Sequence, residues 1–388
     1  MPSAREPNEP RVLDHRLRLP PRRWRGLTLA WPAHCQTAAG TAGGRASWAS
    51  LAFDLPLCAA GIVAAAWISA HLLPDPLFAF TRFLAQAVFG EGLLLVVALT
   101  FASAAAKRRT TTICLGSLAL LLLALYWAGY HHGPSDLRVS HHILDADPST
   151  PPLTRPVRLL HISDLQVWQV GALERRVVHE AAALKPDLIV LTGDYVQERL
   201  TPTRASALRE LRELLQSGPL RARLGVYATW GNVDGRNRHL FDGLGVRCLE
   251  DEVVRVRLPG GETLALVGLS YQTSVSPRSG RLEALMSQAG SPDRCVVAGH
   301  APDFALALAP AVRADLILAG HTHGGQIRLP WLPPLVRLSS VPPWLAAGGL
   351  HNVSGTPVHV SRGVGMERGS APQMRLFCPP EICVIELR

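Results

Sequence analysis

The segment Gly320-His321-Thr322-His323-Gly324-Gly325-Gln326 decides how this chain is interpreted. It comes after the apolar run 314–319 (ADLILA), whose length and flanking turn residues predict a buried strand that leads into a glycine-rich loop. Two imidazoles spaced by one residue at a strand end can face one point, and neutral imidazole is a frequent ligand of transition metals. Two solvated loop histidines explain the pair equally well, so its meaning depends on the residues at the ends of the other strands.

Polar residues stand just past the ends of four further strand-like runs. Sites in α/β proteins are built at the carboxyl edge of the sheet, where parallel strands end together. The series Asp, Asp, Asn, His and His-x-His therefore offers oxygen and nitrogen ligands from five strand ends. The runs and the residues after them are 158–163 with Asp164-Leu165-Gln166, 187–192 with Gly193-Asp194, 224–230 with Gly231-Asn232-Val233-Asp234, and 294–298 with Gly299-His300.

This series resembles the calcineurin-like metallophosphoesterases, whose motifs are D-x-H, G-D, G-N-H-D/E, H and G-H-x-H in that order. The G-H-T-H-G-G-Q motif is similar to that of a membrane-associated bacterial branch. The chain also has that branch's closing pattern, with S-R-G-V-G at 361–365 and R-L-F-C-P-P-E-I at 375–382. The resemblance covers roughly residues 155–388. It implies an α/β fold, a two-sheet αββα sandwich with the metal loops at one end. The apolar stretches earlier in the chain predict that an all-α transmembrane region precedes this sandwich.

The resemblance also implies a centre of two divalent ions. Two such ions about 3.5–4 Å apart can neutralise phosphoryl oxygens and activate a water molecule. Their mixed carboxylate, amide and imidazole ligands suit manganese, iron or zinc. Taken alone, an aspartate past a strand end is explained better by a turn or a helix cap. By the family pattern Asp194 bridges the ions, one shell is completed by Asp164, Gln166 and His323, and the other by Asn232, His300 and His321.

Two positions depart from the family pattern, and both bear on catalysis. Gln166 stands where the family usually has histidine, and its amide oxygen binds zinc or iron more weakly than imidazole does. Val233 replaces the histidine of G-N-H-D, which stabilises the transition state or protonates the leaving group. Loss of a general acid costs about 10²–10⁴-fold in rate, which favours substrates with good leaving groups. The catalytic candidates are Asn232, Asp234 and His300.

The first part of the chain predicts a membrane region. Residues 1–50 form a basic tail without regular pattern, predicted to be disordered, and residues 51–130 contain apolar stretches at about 55–73, 85–106 and 112–130. Each approaches the ~20 residues that a membrane helix needs, although a buried helix of a soluble core is an alternative for the last two. Glu91 in the second stretch requires a place near the interface or against another helix.

The distribution of basic residues predicts the orientation of these spans. The arginine-rich tail and Lys107-Arg108-Arg109 lie on one side, which the positive-inside rule assigns to the cytoplasm. Three spans then place everything after Tyr130 outside the cytoplasm, in a multi-pass protein of the cell membrane. Residues 131–154 are predicted to be a linker and residues 155–388 the catalytic domain.

Within the catalytic domain, helices are predicted at 172–184 and from Thr201 onward, and a hairpin at 253–258 and 263–269. Residues 329–345 are rich in proline and tryptophan. They predict a structural lid, or alternatively a wall for a lipid tail or a membrane contact, since tryptophan favours the bilayer interface.

Composition and motifs limit the function. The net charge of +9 comes from arginine almost alone, since Lys107 and Lys185 are the only lysines, and no nucleic-acid module or interleaving of basic and aromatic residues accompanies it. We therefore expect no nucleic-acid partner. We expect a membrane-anchored phosphoesterase acting on a phosphodiester, pyrophosphate or phosphomonoester, either a small molecule or a lipid. The alternative is a catalytically weakened domain that binds a phosphorylated ligand or signals. The sequence specifies neither the substrate nor the oligomeric state.

Overall fold

The structure, a computed structural model, describes residues 61, 63–72, 75–146, 150–197, 201–218, 220–276, 280–308, 314–334 and 336–388. The predicted basic tail and part of the first apolar stretch lie outside these residues. Leu57–Arg388 form one compact unit.

Two long apolar helices come before the catalytic part. Helix α1 spans Pro76–Ala105 and helix α2 spans Arg109–Ser135, and both are long and apolar enough to cross a membrane. They correspond to the second and third predicted apolar stretches, and they pack along each other. Residues 63–70 are also helical. Glu91 lies in a π-helical turn of α1, Ala87–Gly92, and lines a groove with Ala66 and Ser69 of that preceding helical segment.

The first sheet carries three of the predicted strand ends. Its strand order is β1-β12-β2-β3-β4-β5. The central strands β2 to β5 are parallel, while β12 is antiparallel to β2 and parallel to β1. The strands are β1 Arg138–Leu144, β2 Val157–Ile162, β3 Leu188–Thr192, β4 Val226–Thr229, β5 Val246–Cys248 and β12 Glu381–Leu387.

The second sheet carries the other two predicted strand ends. Its order is β10-β11-β9-β8-β7-β6, with β7, β8, β9 and β11 parallel. The predicted hairpin is confirmed, because β6 and β7 pair antiparallel. The strands are β6 Glu252–Arg257, β7 Thr263–Gly268, β8 Arg294–Ala298, β9 Leu316–Ala319, β10 Gly349–Val353 and β11 Thr356–Val360.

The two sheets pack face to face, and helices cover their outer faces. Alternate residues of the strands, such as Leu159, Leu266 and Leu318, form the core between the sheets. The other face of the first sheet packs against α3, Ala172–Ala183, and α4, Thr201–Ser217. The second sheet packs against α6, and the αββα sandwich is therefore confirmed. The remaining helices are α5 Tyr271–Val275, α6 Arg281–Ala289, α7 Ala305–Leu308 and α8 Pro343–Ala346.

The structure differs from the predicted linker at 131–154. Strand β1 lies within that range and pairs with β12 along its whole length, from Arg138 opposite Glu381 to Leu144 opposite Leu387. This edge strand is at most half-buried and carries two adjacent histidines. Its apolar alternation is therefore weak, and the backbone pairing that stabilises it involves residues more than 200 positions away.

The end of α2 lies directly against the catalytic part. The Arg375 amide donates a hydrogen bond to the Gly129 carbonyl oxygen at 2.8 Å. A Cβ atom on Gly133 would overlap the Arg375 carbonyl oxygen, and one on Gly129 would overlap Met374. Small residues four positions apart permit this close approach of two backbones. The two long apolar helices are thus attached to residues 374–376 without an intervening linker.

Candidate metal centre

The loops after β2, β3, β4, β8 and β9 converge at one end of the sandwich. They bring together all seven predicted metal ligands. Six of the seven side chains are buried, and Asn232 is exposed in the cleft above them. The ligands are Asp164 and Gln166 after β2, Asp194 after β3, Asn232 after β4, His300 after β8, and His321 and His323 after β9.

One group of ligands surrounds His300. The ligand atoms of Asp194, His300 and His321 all lie within 4.8 Å of one another. His300 Nε2 is 3.3 Å from Asp194 Oδ2, 3.1 Å from Asn232 Oδ1 and 3.1 Å from His321 Nδ1. His300 Nδ1 donates to the Thr192 carbonyl oxygen at 2.7 Å, which fixes the ring orientation and leaves Nε2 facing this group.

A second group of predicted ligands consists of Asp164, Gln166 and His323. Asp164 Oδ1 is 3.7 Å from His323 Nε2. Gln166 Nε2 lies 3.5 Å from Asp194 Oδ2. Asp194 Oδ2 therefore contacts a residue of each group, which is consistent with the bridging role that the family pattern implies.

Buried polar atoms without partners show that the residues fit metal ions. Both ring nitrogens of His323 and the Oε1 of Gln166 are buried and have no hydrogen-bond partner among the described residues. An unsatisfied buried polar group costs about 1–3 kcal/mol, which coordination would offset. The Gln166 amide is oriented through its Nε2, which faces Asp194 and, at 3.4 Å, Glu367 Oε2. Its oxygen is then the atom left to act as a ligand.

The backbone of these loops is strained. Left-handed φ angles occur at Asp164 (51°), Gln166 (41°), Asp194 (56°), His321 (69°) and His323 (50°). Each non-glycine residue held in this region costs of order 1–3 kcal/mol, and such residues cluster at functional sites. Short-range sequence patterns gave no sign of this conformation.

The electrostatics of the protein groups favour cations at this site. Burial raises the pKa of the Asp164 carboxyl to about 7. Although burial opposes both effects, attraction between Asp194 and His300 raises the pKa of the imidazole to about 10 and lowers that of the carboxyl to about 2. Burial lowers the pKa of His321 to about 4 and that of His323 well below its usual range. His321 and His323 are therefore neutral imidazoles, the form that binds metals.

The contacts of Asp234 favour a positioning role over the predicted catalytic one. Its Oδ2 accepts hydrogen bonds from the backbone amides of Asp194 and Gly231, both at 2.7 Å, and its Oδ1 accepts one from Tyr195 at 2.9 Å. The side chain is fully buried. Asp234 thus fixes the loops that carry Asp194 and Asn232, and its carboxylate oxygens are already used by backbone amides.

Two further residues border the cleft, and the sequence motifs did not identify them. Glu367 comes shortly after the S-R-G-V-G run and hydrogen-bonds to both Gln166 and Gln197. Arg204, near the start of α4, lines the same cleft of about 590 Å³ as Asn232. A basic side chain suits an anionic phosphate group. Neither residue belongs to a short motif, so only the folded chain brings them to the site.

An apolar cavity of about 280 Å³ lies beside the metal centre. Residues of α1, including Phe78, Leu84 and Val88, form one wall, and Leu329 and Leu338 belong to the opposite wall. The predicted flap at 329–345 thus forms part of an apolar wall. Phe78, Leu338 and Glu367 line both this cavity and the polar cleft, so the two spaces adjoin.

The flap is attached to the metal centre through His321. The His321 Nε2 donates a hydrogen bond to the Leu338 carbonyl oxygen at 2.9 Å. This bond leaves Nδ1 as the unprotonated nitrogen that faces His300, and it fixes the ring orientation. A single side chain therefore contacts both the ligand cluster and the wall of the apolar cavity.

Comparison with known proteins agrees with this geometry. Residues 157–325 match the family model described as calcineurin-like phosphoesterase. The chain is 26% identical over 276 residues to "Uncharacterized metallophosphoesterase YkoQ" of Bacillus subtilis, covering 69% of this chain and 96% of that protein. It is 28% identical over 248 residues to "Phosphodiesterase YaeI" of Escherichia coli, covering 60% of this chain and 82% of that protein.

A vertebrate protein is also similar. The chain is 28% identical over 225 residues to "Transmembrane protein with metallophosphoesterase domain" of Danio rerio. The match covers 54% of this chain and 48% of that protein.

Proposed function

Because this chain carries a calcineurin-like phosphoesterase domain, we propose that it is a metal-dependent enzyme that hydrolyses a phosphate ester or pyrophosphate attached to a lipid chain. The observation that carries this proposal is the apolar cavity between α1 and the flap, which adjoins the cleft at the ligand cluster. A substrate could place its phosphate in the cleft and its hydrocarbon chain in the cavity.

Two divalent ions, of manganese, iron or zinc, would be held by the converging loops. Asp194 would bridge them, Asp164, Gln166 and His323 would hold one, and Asn232, His300 and His321 the other. When bound, the ions neutralise phosphoryl oxygens and provide an activated water. The unpartnered atoms of His323 and Gln166 support this assignment.

The side chains of the cleft explain how a phosphate could be selected. Arg204 supplies positive charge at the cleft wall. Val233 lines the cleft where the family usually has histidine, and it has no proton to give. The reaction therefore depends on a leaving group that departs without protonation, such as a phosphate of a pyrophosphate.

The physical chemistry of the cavity favours a hydrocarbon chain over other occupants. Burying a methylene group contributes about 0.8 kcal/mol. One wall of the cavity is part of α1, so a chain could enter from the bilayer without crossing water. Trp331 is 99% exposed near the cavity, and Leu329 and Leu332 are about half exposed, which suits a contact with the bilayer interface.

The membrane arrangement is inferred from the two described helices and the basic residues between them. Lys107 and Arg108 lie in the turn between α1 and α2, which the positive-inside rule assigns to the cytoplasm. The far end of α2 and the catalytic part attached to it would then lie outside the cytoplasm. A further span at about 55–73 would return the basic tail to the cytoplasmic side. Fusion of alkaline phosphatase after Arg388 should give an active reporter, and an inactive one would contradict this orientation.

Gln166 and Val233 favour a second candidate, a domain that binds a phosphorylated ligand without turnover. Gln166 is a weaker ligand than the usual histidine, and Val233 removes the usual acid. This candidate predicts metal binding together with negligible hydrolysis of any ester.

The test compares two substrates that differ in chain length alone. Hexadecyl and methyl 4-nitrophenyl phosphate share the same leaving group, and the full chain in detergent is assayed with both. Leu84→Trp fills the cavity, and Leu95→Trp on the exposed face of α1 is the matched control. If the tryptophan displaces two methylene groups of the substrate chain from the cavity, the binding free energy weakens by about 1.6 kcal/mol. This change lowers kcat/KM roughly fifteenfold.

We expect a higher kcat/KM for the hexadecyl ester, with the loss in Leu84→Trp confined to that substrate. Equal kcat/KM values for both esters would overturn the lipid assignment while leaving the phosphoesterase intact. Bound metal without hydrolysis of either ester would favour the binding candidate instead.

A further inference from the structure

A second cluster of metal-binding residue types lies outside the ligand set described above. It contains His142 on β1, His161 on β2, His359 on β11 and Cys383 on β12. Cys383 stands opposite both Ser140 and His161 in the register of the first sheet. His359 comes from the second sheet, so the cluster bridges the two sheets of the sandwich.

The side chains of three of these residues converge. The ligand atoms of His142, His359 and Cys383 all lie within 4.8 Å of one another. His359 and Cys383 are buried, and His142 is half-buried at the edge strand. The edge strand gives the cluster a route to solvent that the deep core does not have.

Hydrogen bonds leave one imidazole nitrogen of the cluster unsatisfied. His359 Nδ1 lies 2.8 Å from His161 Nδ1, and His161 Nε2 lies 2.8 Å from the Thr192 hydroxyl. Both nitrogens of His161 are thereby used. The remaining nitrogen of His359, Nε2, is buried and has no hydrogen-bond partner among the described residues. It is therefore the nitrogen with which His359 can coordinate a metal ion.

We propose that His142, His359 and Cys383 bind a single zinc ion that is separate from the catalytic centre. Thiolate and imidazole are the ligands that zinc prefers, and three protein ligands leave a fourth position for water. The buried His359 Nε2, which has no hydrogen-bond partner among the described residues, would otherwise remain uncompensated. The site shares no residue with the catalytic ligand set.

Zinc binding at this site exchanges a proton for a metal bond, without redox chemistry. Burial raises the pKa of the Cys383 thiol to about 12. The Cys383 S–H bond breaks, its electron pair forms the Zn–S bond, and the proton leaves to solvent. The bound ion would join β1 and β12 of the first sheet to β11 of the second. It would therefore secure the strand that comes directly after the membrane helices.

Cobalt provides a test that separates this site from the catalytic one. A thiolate bound to Co²⁺ gives a charge-transfer band in the near ultraviolet, whereas the catalytic ligands are all oxygen or nitrogen donors. The full chain in detergent is titrated with Co²⁺ alone. We expect the band in the wild type, its loss in Cys383→Ser, and its displacement by Zn²⁺.

Variants control for folding and for other thiols. His142→Ala changes a half-buried side chain and should weaken cobalt binding at this site by at least about tenfold, since even residues behind the ligands matter that much. His141→Ala, at an exposed position on the same strand, and Cys248→Ser, at the opposite edge of the sheet, should keep the band. Asp194→Asn should also keep it, because that residue belongs to the catalytic set.

Two results would overturn the proposal. One is a wild-type protein that binds cobalt without any thiolate band. The other is a band that persists in Cys383→Ser or is unaffected in His142→Ala. A band lost instead in Cys378→Ser would assign the thiolate to the residue whose sulfur lies 3.2 Å from the His323 carbonyl oxygen.

Discussion

Replacement of Asp234 by asparagine tests whether this residue positions the metal loops or takes part in the chemistry. The wild-type carboxylate accepts three backbone hydrogen bonds, from Asp194, Tyr195 and Gly231. An asparagine can present its oxygen to only one side. Its NH₂ group then faces one or two backbone N–H groups that are left without an acceptor.

The loss of stability in Asp234→Asn follows from these three hydrogen bonds. Hydrogen bonds to a charged group contribute about 1.5–3 kcal/mol each, and a buried donor left unpaired costs about 1–3 kcal/mol. We therefore expect Asp234→Asn to lower the free energy of unfolding by about 2–4 kcal/mol. A domain of this size loses about 2–4 °C in Tm per kcal/mol. Metal affinity should fall as well, because the Asp194 and Asn232 loops lose their common anchor.

The assay combines thermal unfolding, metal titration and hydrolysis of an aryl phosphodiester at saturating metal. Asp242→Asn is the matched control, since that side chain is exposed in the neighbouring loop. Excess metal should restore much of the activity of Asp234→Asn. Unchanged Tm and metal affinity, together with a rate loss on the order of 10³ or more, would refute the positioning role and make Asp234 a catalytic group.

Three further expectations concern the same centre. Val233→His should raise the rate on alkyl esters more than on aryl esters, because a proton donor helps a basic leaving group most; equal effects would show that this position does not contact the leaving group. Asp194→Asn should abolish binding of at least one ion and most hydrolysis, measured by metal analysis and turnover, and unchanged turnover would exclude a bridging role. Because burial raises the pKa of Asp164 to about 7, protons should compete with metal below that pH; a metal affinity that is flat across neutral pH by calorimetry would contradict this.

The strands and their ends were predictable because each apolar run is short and is closed by glycine or a polar residue. Leu188–Thr192 is buried at all five positions and precedes Gly193-Asp194. Such local signals, repeated five times in the family's order, indicated both the sheet edge and the ligand set. Helices α3 and α4 were also predictable from a local signal, because the apolar residues of each helix repeat at helical spacing.

The errors and omissions arise where the structure depends on distant partners. Strand β1 pairs with β12, and only that pairing makes Arg138–Leu144 a strand. Asp234 occupies a motif position, but its backbone partners belong partly to the loop after β3. Glu367 and Arg204 reach the cleft by tertiary packing alone. The cluster of His142, His359 and Cys383 likewise joins three strands that are remote in sequence.

If α2 spans the bilayer as proposed, its direct contact with residues 374–376 makes the catalytic part sensitive to bilayer thickness. The 27 residues of α2 are about 40 Å long, whereas the hydrocarbon core of a bilayer is about 30 Å thick. The helix must therefore tilt or project, and Gly129 and Gly133 lie in the turns near its projecting end. Since Met374 and Leu376 line the apolar cavity, a change of tilt would move a cavity wall. The lipid composition around the protein would then act on the cavity through the helix, without any molecule binding to the cleft.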